Sequence, residues 1–289
     1  MSQTYQWMTD LLHQFDGCDL EQKAGWLKLL SDFQPDLPLA LQELIYKVAL
    51  SGTSTGSDEK SVAVWNQAII GLAKCHDLSD KAIAILTPCL QSEYWFIRGN
   101  AAVSLALLGV QDVATISRIG ELLFDHEGFD WHVSEAALSA LEIIGEPVQQ
   151  EIPQILHRAS AYIHQDEFGG WTDVGASIAN CLAAVGDDSP EVINSLCQII
   201  EKRKISAYDA CIALCMLNAK AEQAQQAIAS YLCSDEMPVD DAERTYGLID
   251  ALESVACDRP DLIRQCLYHL LQSSFEEVAD IAKQRLDSF

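Results

Sequence analysis

The stretch DHEGFDWH, residues 125–132, gathers five side chains that can ligate a metal or carry a proton: Asp125, His126, Glu127, Asp130 and His132. A second group follows at His164, Asp166, Glu167 and Asp173, and CSDEMPVDDAER adds Asp235, Glu236, Asp240, Asp241 and Glu243. Hard cations favour such oxygen ligands, but a calcium loop needs spaced acids, a central glycine and a terminal glutamate, and none of these runs has that spacing. Cys211 and Cys215 stand four apart, on one face of a helix, and could share a softer metal. No second Cys or His pair stands near them in sequence, which favours core packing. The chain also lacks the G-x-S-x-G elbow of a nucleophilic serine, the G-x-x-x-x-G-K-[ST] loop that cradles phosphate, and the G-x-G-x-x-G turn of dinucleotide folds. The expectation is a protein that is not an enzyme and holds no cofactor and no metal.

Composition narrows the classes further. With 49% apolar and 21% charged residues over 289 positions, the chain can bury a large core and is not disordered. Its formal net charge is −25, from 43 acids against 18 Lys and Arg. A field of that sign repels phosphate backbones, so direct nucleic-acid binding is disfavoured and a basic protein partner is favoured. No apolar run reaches membrane-spanning length, and MSQTYQWMTDLLHQFDG lacks the basic and apolar regions of an export signal. Ten cysteines, set mostly among Ala, Leu and Ile at helical spacings, suit reduced buried thiols in a cytoplasmic protein.

The elements that must position the acidic runs come from an internal repeat. Setting tryptophans in register aligns VWNQAIIGLAKC, YWFIRGNAAVSLALLG, DWHVSEAALSALEIIG and GWTDVGASIANCLAAVG, with Trp65, Trp95, Trp131 and Trp171 spaced by 30, 36 and 40 residues. Val133, Ala136, Ala137, Ala140, Leu141 and Ile144 show the three-and-four spacing of an amphipathic helix, opened by its Trp. Further amphipathic helices lie between these segments, each the first of its pair, with Ser79-Asp80, Asp112 and Ser189-Pro190 as expected caps and starts, and Pro147, Pro153 and Pro260 in or near first turns. The spacing predicts helix pairs over 3–33, 37–76, 79–109, 112–145, 147–186, 189–218, 221–256 and 259–289. These form one domain, 1–289, with 1–33 and 259–289 as capping pairs. SGTSTGSDEK, 51–60, reads as an elongated mobile turn within the second pair.

The segment WFIRGNAAVSLALLG, with Ile97-Arg98 followed by Ala101-Ala102, resembles the V-R-x-x-A-A-x-x-L-G pattern of HEAT repeats, and the resemblance in period covers nearly the whole chain. Arg98 is replaced by Ser134 and Gly175 in the next two repeats, which match by period and apolar pattern more than by motif. The resemblance implies an all-α, right-handed α-solenoid of about eight helix pairs, with second helices lining a concave side. It implies no activity. Deoxyhypusine hydroxylase, built of such repeats, holds iron on His-Glu pairs at second-helix starts. The positions here read Arg98-Gly99, Ser134-Glu135 and Gly175-Ala176, which excludes that activity. HEAT-like DNA glycosylases are basic where they face DNA, the opposite of this chain. Phycobilin lyases share the repeats, but no residue speaks for a tetrapyrrole.

The acids are unevenly spread. From Ile119 to Glu201 the sole Lys or Arg is Arg158. Asp130, Asp173 and Asp240, near helix N-termini, each stabilise the helix dipole by about 0.3–1 kcal/mol. Asp125, Glu127, Asp166, Glu167, Asp235 and Glu236 have no such folding role. The expectation is a recognition rim of Asp125, Glu127, Asp130, Asp166, Glu167, Asp173, Asp235, Glu236, Asp240 and Asp241, with Trp95, Trp131 and Trp171 packing first and offering ring faces to a partner's basic side chains. By analogy with acidic inhibitors of nucleases, the first-ranked setting is the immunity partner of a bacterial toxin. An adaptor or assembly factor for a basic subunit or peptide ranks second, and a lyase or metal enzyme last.

Overall fold

The computed structural model describes residues 10–32, 37–52, 58–124, 130–164, 174–202, 206–234 and 242–288. All regular structure among the described residues is helical. The chain divides into two compact units, Met1–Ile144 and Gly145–Phe289.

The first unit holds a short helical stretch at 10–14, a 3-10 turn Phe15–Gly17, and seven α-helices: α1 Leu20–Ser31, α2 Leu39–Gly52, α3 Glu59–Leu72, α4 Ser79–Cys89, α5 Trp95–Leu107, α6 Val113–Glu121 and α7 Asp130–Ile144. α1, α3, α5 and α7 pack side by side in sequence order, α2 and α4 form a second row against them, and α6 packs on α7. The second unit opens with a 3-10 turn, Glu146–Glu151, and holds α8 Ile152–His164, α9 Val174–Val185, α10 Pro190–Lys202, α11 Ala207–Met216, α12 Glu222–Leu232, α13 Ala242–Val255, α14 Pro260–Leu270 and α15 Glu276–Ser288. It repeats the arrangement, with α9, α11, α13 and α15 in one row and α8, α10, α12 and α14 in the other. These are the helix pairs expected from the repeat, because each helix buries one apolar stripe that only neighbouring pairs can cover. In α5 the stripe is Ile97, Ala101, Ala102 and Leu105, all inaccessible to solvent. The small residues let helices approach, and a Cβ added at Gly99 would lie 3.1 Å from the Ala136 Cβ of α7.

Starts and stops have local causes. Asp112 Oδ1 accepts the Thr115 N–H at 2.9 Å and Asp19 forms a reciprocal capping box with Gln22, so both act as N-caps. Pro260 takes the first position of α14, where no N–H is needed. Ser79 opens its helix as expected but does not cap it. It is the first residue of α4, behind a 3-10 turn His76–Leu78, and no side chain caps that helix. In the 51–60 stretch, Ser51 and Gly52 finish α2 and Asp58 caps α3 through Ser61, while 53–57 lie outside the described residues. α5, α7, α9 and α11 are each followed closely by a left-handed residue: Gly109, Gly145, Gly186 and Asn218, at φ 75°, 71°, 75° and 51°. After α5 this turn lets Val110 N–H reach Leu105 O and Gly109 N–H reach Ala106 O, closing the helix with its last carbonyls satisfied.

A buried glutamine clasp occurs once in each unit. Gln42, four residues into α2, donates from Nε2 to Leu37 O at 2.7 Å and to Asp77 Oδ2 at 2.8 Å, and its Oε1 accepts the Asp77 N–H. Gln225, four residues into α12, donates from Nε2 to Lys220 O, Val255 O and Asp258 Oδ1. In both, the start of a first helix is tied to the turn that follows its partner helix. Gln225 is 3% exposed, so Gln225→Ala would strand buried acceptors. It is expected to lower unfolding free energy by about 2 kcal/mol in urea titration. Gln226→Ala, one residue on at an exposed site, is expected to change it by less than about 0.5 kcal/mol.

Candidate functional site

Of the residues expected to form the recognition rim, most lie outside the described residues: Asp125, Glu127, Asp166, Glu167, Trp171, Asp173, Asp235, Glu236, Asp240 and Asp241. Asp130 and Trp131 are the first two residues of α7, and their side chains too are outside what is described. Trp95 is therefore the rim residue with a described environment.

Trp95 is the first residue of α5, half-buried, and its ring stacks on His132 near the start of α7, with centroids 5.3 Å apart and planes 16° apart. Phe96 meets Trp95 edge-on at 5.5 Å and Tyr94 at 5.7 Å. Such aromatic pairs add about 0.5–1.5 kcal/mol beyond area burial. Trp95 thus fastens adjacent helices of one row while keeping part of its surface open, and the cluster stands where α7 begins, directly after the acidic run 125–130 in the chain. His132, read in sequence as a ligand candidate, serves here as a stacking partner.

Trp65 does not open its helix as the tryptophan register predicts. α3 starts at Glu59, because Asp58 caps it, so Trp65 lies well inside the helix and not at its start. Its indole N–H is buried and has no hydrogen-bond partner among the described residues.

Arg98 explains the part of the sequence pattern that looked most like a motif. It is 5% exposed, and its Nη1 donates to Ser92 O at 2.7 Å and Glu93 O at 3.3 Å. The guanidinium holds the turn between α4 and α5 onto the start of α5. At the aligned position of α7, Ser134 is fully buried. At that of α9, Gly175 is pressed against Ser206 and Tyr162, whose hydroxyls share a 2.7 Å hydrogen bond. The position is buried each time, and each repeat fills it differently.

Metal or nucleophile chemistry finds no support among the described residues. No group of three or more His, Cys, Asp or Glu side chains comes together there. Cys211 is fully buried and Cys215 half-buried. Burial pushes the Cys75 thiol up to about 12 and Cys89 to about 11, and burial with Glu201 nearby takes Cys197 to about 12. Thiols held protonated in this way are poor ligands and poor nucleophiles. On α7, burial raises the Glu142 carboxyl above the usual range. On α13, burial raises Glu253, which pairs with Arg285 of α15 at 2.9 Å. The Arg285 guanidinium also lies 4.5 Å from the Tyr246 ring centroid and bonds Asp250, which makes this cluster a fastening between helices.

No family model matches the chain, and no curated protein matches it. Among solved structures, the complex of CpcE and CpcF of phycocyanin lyase from Nostoc sp. PCC7120 is similar with a TM-score of 0.52 and 17% identity, over 89% of this chain and 96% of that one. The fold is that of HEAT-like helical repeats. A designed armadillo repeat protein, also 17% identical, matches over 93% of this chain and 99% of its own, with a TM-score of 0.32. Among the described residues no helix of this repeat protein is long and apolar enough to cross a membrane.

Proposed function

We propose that this chain is a non-enzymatic binding module whose partner is a basic protein, held through the acidic turns that precede second helices. The observation that carries the reading is the half-buried Tyr94, Trp95, Phe96 and His132 cluster at the start of α7, the helix that follows the acidic 125–130 run in the chain. Aromatic faces beside carboxylates suit Arg and Lys side chains, which pair with the acids and stack on the rings. The net charge of −25 adds a long-range field that speeds association with a cationic partner and rejects acidic competitors. Helical-repeat scaffolds supply extended surfaces suited to this work. Within this class we favour the immunity partner of a bacterial toxin that attacks nucleic acid, since a surface that binds phosphate is itself basic.

The test is affinity capture from the source cell at low salt, elution by a salt gradient, and measurement of the isolated partner against variants. A single basic protein eluting late, bound about tenfold more weakly by the combined Asp125→Ser, Glu127→Ser, Asp166→Ser and Glu167→Ser variant at unchanged helicity, is the expected result. Inhibition of that protein's toxicity by this chain distinguishes immunity from adaptor work. Unaltered affinity removes the acidic turns from the account. Retention of a coloured compound or a metal in place of a protein moves the chain to the enzymes.

A further inference from the structure

Two cysteines come together in the second unit, from α12 and α14, which pack side by side in one row. Cys233 closes α12, and its N–H bonds Ala229 O at 3.1 Å. Cys266 lies midway along α14, and its Sγ stands 3.9 Å from that same carbonyl. One backbone oxygen thus has both residues as neighbours, and the two thiols are in hydrogen-bond contact, the Cys266 S–H donating to the Cys233 sulfur. A cysteine side chain carries its sulfur one rotatable bond from the backbone. Closing such a contact to an S–S bond of about 2.05 Å therefore asks for side-chain rotation and a slight approach of the two helices.

The two sulfurs differ in the way a two-step oxidation needs. Cys233 is half-buried and open to a small solute, whereas Cys266 is 2% exposed. The hydrogen bond from Cys266 holds the Cys233 thiol below its usual range. Burial and the carbonyl end of α12 work against the thiolate, and the donated hydrogen bond outweighs burial. That same bond, together with burial, pushes the Cys266 thiol up. The thiolate is the nucleophile, so the accessible sulfur is the one that attacks and the buried sulfur waits beside it. Cys197 and Cys211, near each other in the same unit, lack this asymmetry. Both are fully buried, and burial pushes both thiols up.

We propose that Cys233 is a site of oxidation by hydrogen peroxide, with Cys266 as the second sulfur that resolves it to an intramolecular disulfide. The Cys233 thiolate attacks one peroxide oxygen and breaks the O–O bond, giving a sulfenic acid and hydroxide, which takes up a proton to become water. The Cys266 sulfur then attacks the sulfenic sulfur. The S–S bond forms, the S–O bond breaks, and the hydroxyl leaves with the Cys266 proton as a second water. Two thiols are oxidised to one disulfide while one peroxide is reduced to two waters. The bond ties α14 of the last helix pair to α12 of the pair before it, and the site is independent of the acidic turns and of their partner.

Differential alkylation and peptide mass spectrometry test it on the full chain, reduced and then treated with hydrogen peroxide and quenched with catalase. The expected result is loss of Cys233 and Cys266 together from the alkylated pool, recovery of both as one linked peptide that dithiothreitol cleaves, and retention of Cys197 and Cys211 as thiols. Cys266→Ser keeps a donor hydroxyl beside Ala229 O and removes the resolving sulfur. In that variant oxidation is expected to stop at the Cys233 sulfenic acid, which dimedone traps, with circular dichroism checking the fold. Cys233→Ser is expected to leave Cys266 reduced. The proposal is overturned if Cys233 stays reduced while the exposed Cys257 is oxidised, or if Cys233 links to a different cysteine. A folded Cys266→Ser variant without a dimedone adduct at Cys233 overturns it as well.

Discussion

Arg98→Ala is expected to lower the unfolding free energy by about 3 kcal/mol, because the variant removes a buried cation and leaves two turn carbonyls without their charge-assisted donor. The side chain is 5% exposed and serves both Ser92 O and Glu93 O. Arg98→Lys should recover only part of the loss, since one ammonium on a flexible stem cannot reproduce the planar fork. Urea unfolding with matched slopes measures both. A loss of less than about 1 kcal/mol for the alanine variant would show that water satisfies the turn as well as the guanidinium does.

Gly175→Ala is the second large effect, and its sign is set by competition. In a helix interior, alanine is favoured over glycine by about 1 kcal/mol, and by less at Gly175, the second residue of α9. Against that gain, a Cβ at Gly175 collides with Ser206 and with the Tyr162 ring, whose Cε1 would lie 2.6 Å away. Overpacking costs about 1–3 kcal/mol, and displacing Tyr162 or Ser206 breaks their mutual hydrogen bond for roughly 1 kcal/mol more. The expected net result is destabilisation by about 2 kcal/mol. The same change at Gly25 serves as the control. That residue lies within α1, and a Cβ there meets nothing within 4 Å. Gly25→Ala is therefore expected to stabilise by about 0.5–1 kcal/mol. Thermal unfolding of the two variants should move in opposite directions; a shift of the same sign in both would mean that the α9 contacts relax freely.

These two positions show how far a repeat can be read from residues alone. Arg98 carried the HEAT-like pattern, and its absence from the next two repeats weakened the motif there. The structure gives the reason: the site needs a buried filler, and Ser134 or the Tyr162 and Ser206 pair against Gly175 fill it by other chemistry. The glutamine clasps carry a similar lesson. Gln42 with Asp77 and Gln225 with Asp258 are separated by 35 and 33 residues, a spacing visible in sequence but without meaning until the turn and the helix start are brought together. The left-handed stops at Gly109, Gly145, Gly186 and Asn218, in four successive repeats, were also present as a signal, because few residue types tolerate that backbone.

The candidate site was legible to a smaller degree. Trp95 was singled out as packing first, and its stack on His132 agrees with that role. Trp65 was placed at a helix start by its register with the other tryptophans. The capping side chain of Asp58 sets the start of α3 several residues earlier, so the same spacing leaves Trp65 mid-helix, with its ring packed against Gly52 at the end of α2.

From the sequence by itself came the arrangement in helix pairs, the absence of familiar catalytic motifs and the net charge of −25, because periodicity and composition are properties of neighbours along the chain. Which turn a buried glutamine clasps and which ring stacks on which are decided by contacts between residues roughly thirty to forty positions apart. Only the packing of successive helices brings such residues within reach, so those contacts became known with the tertiary structure.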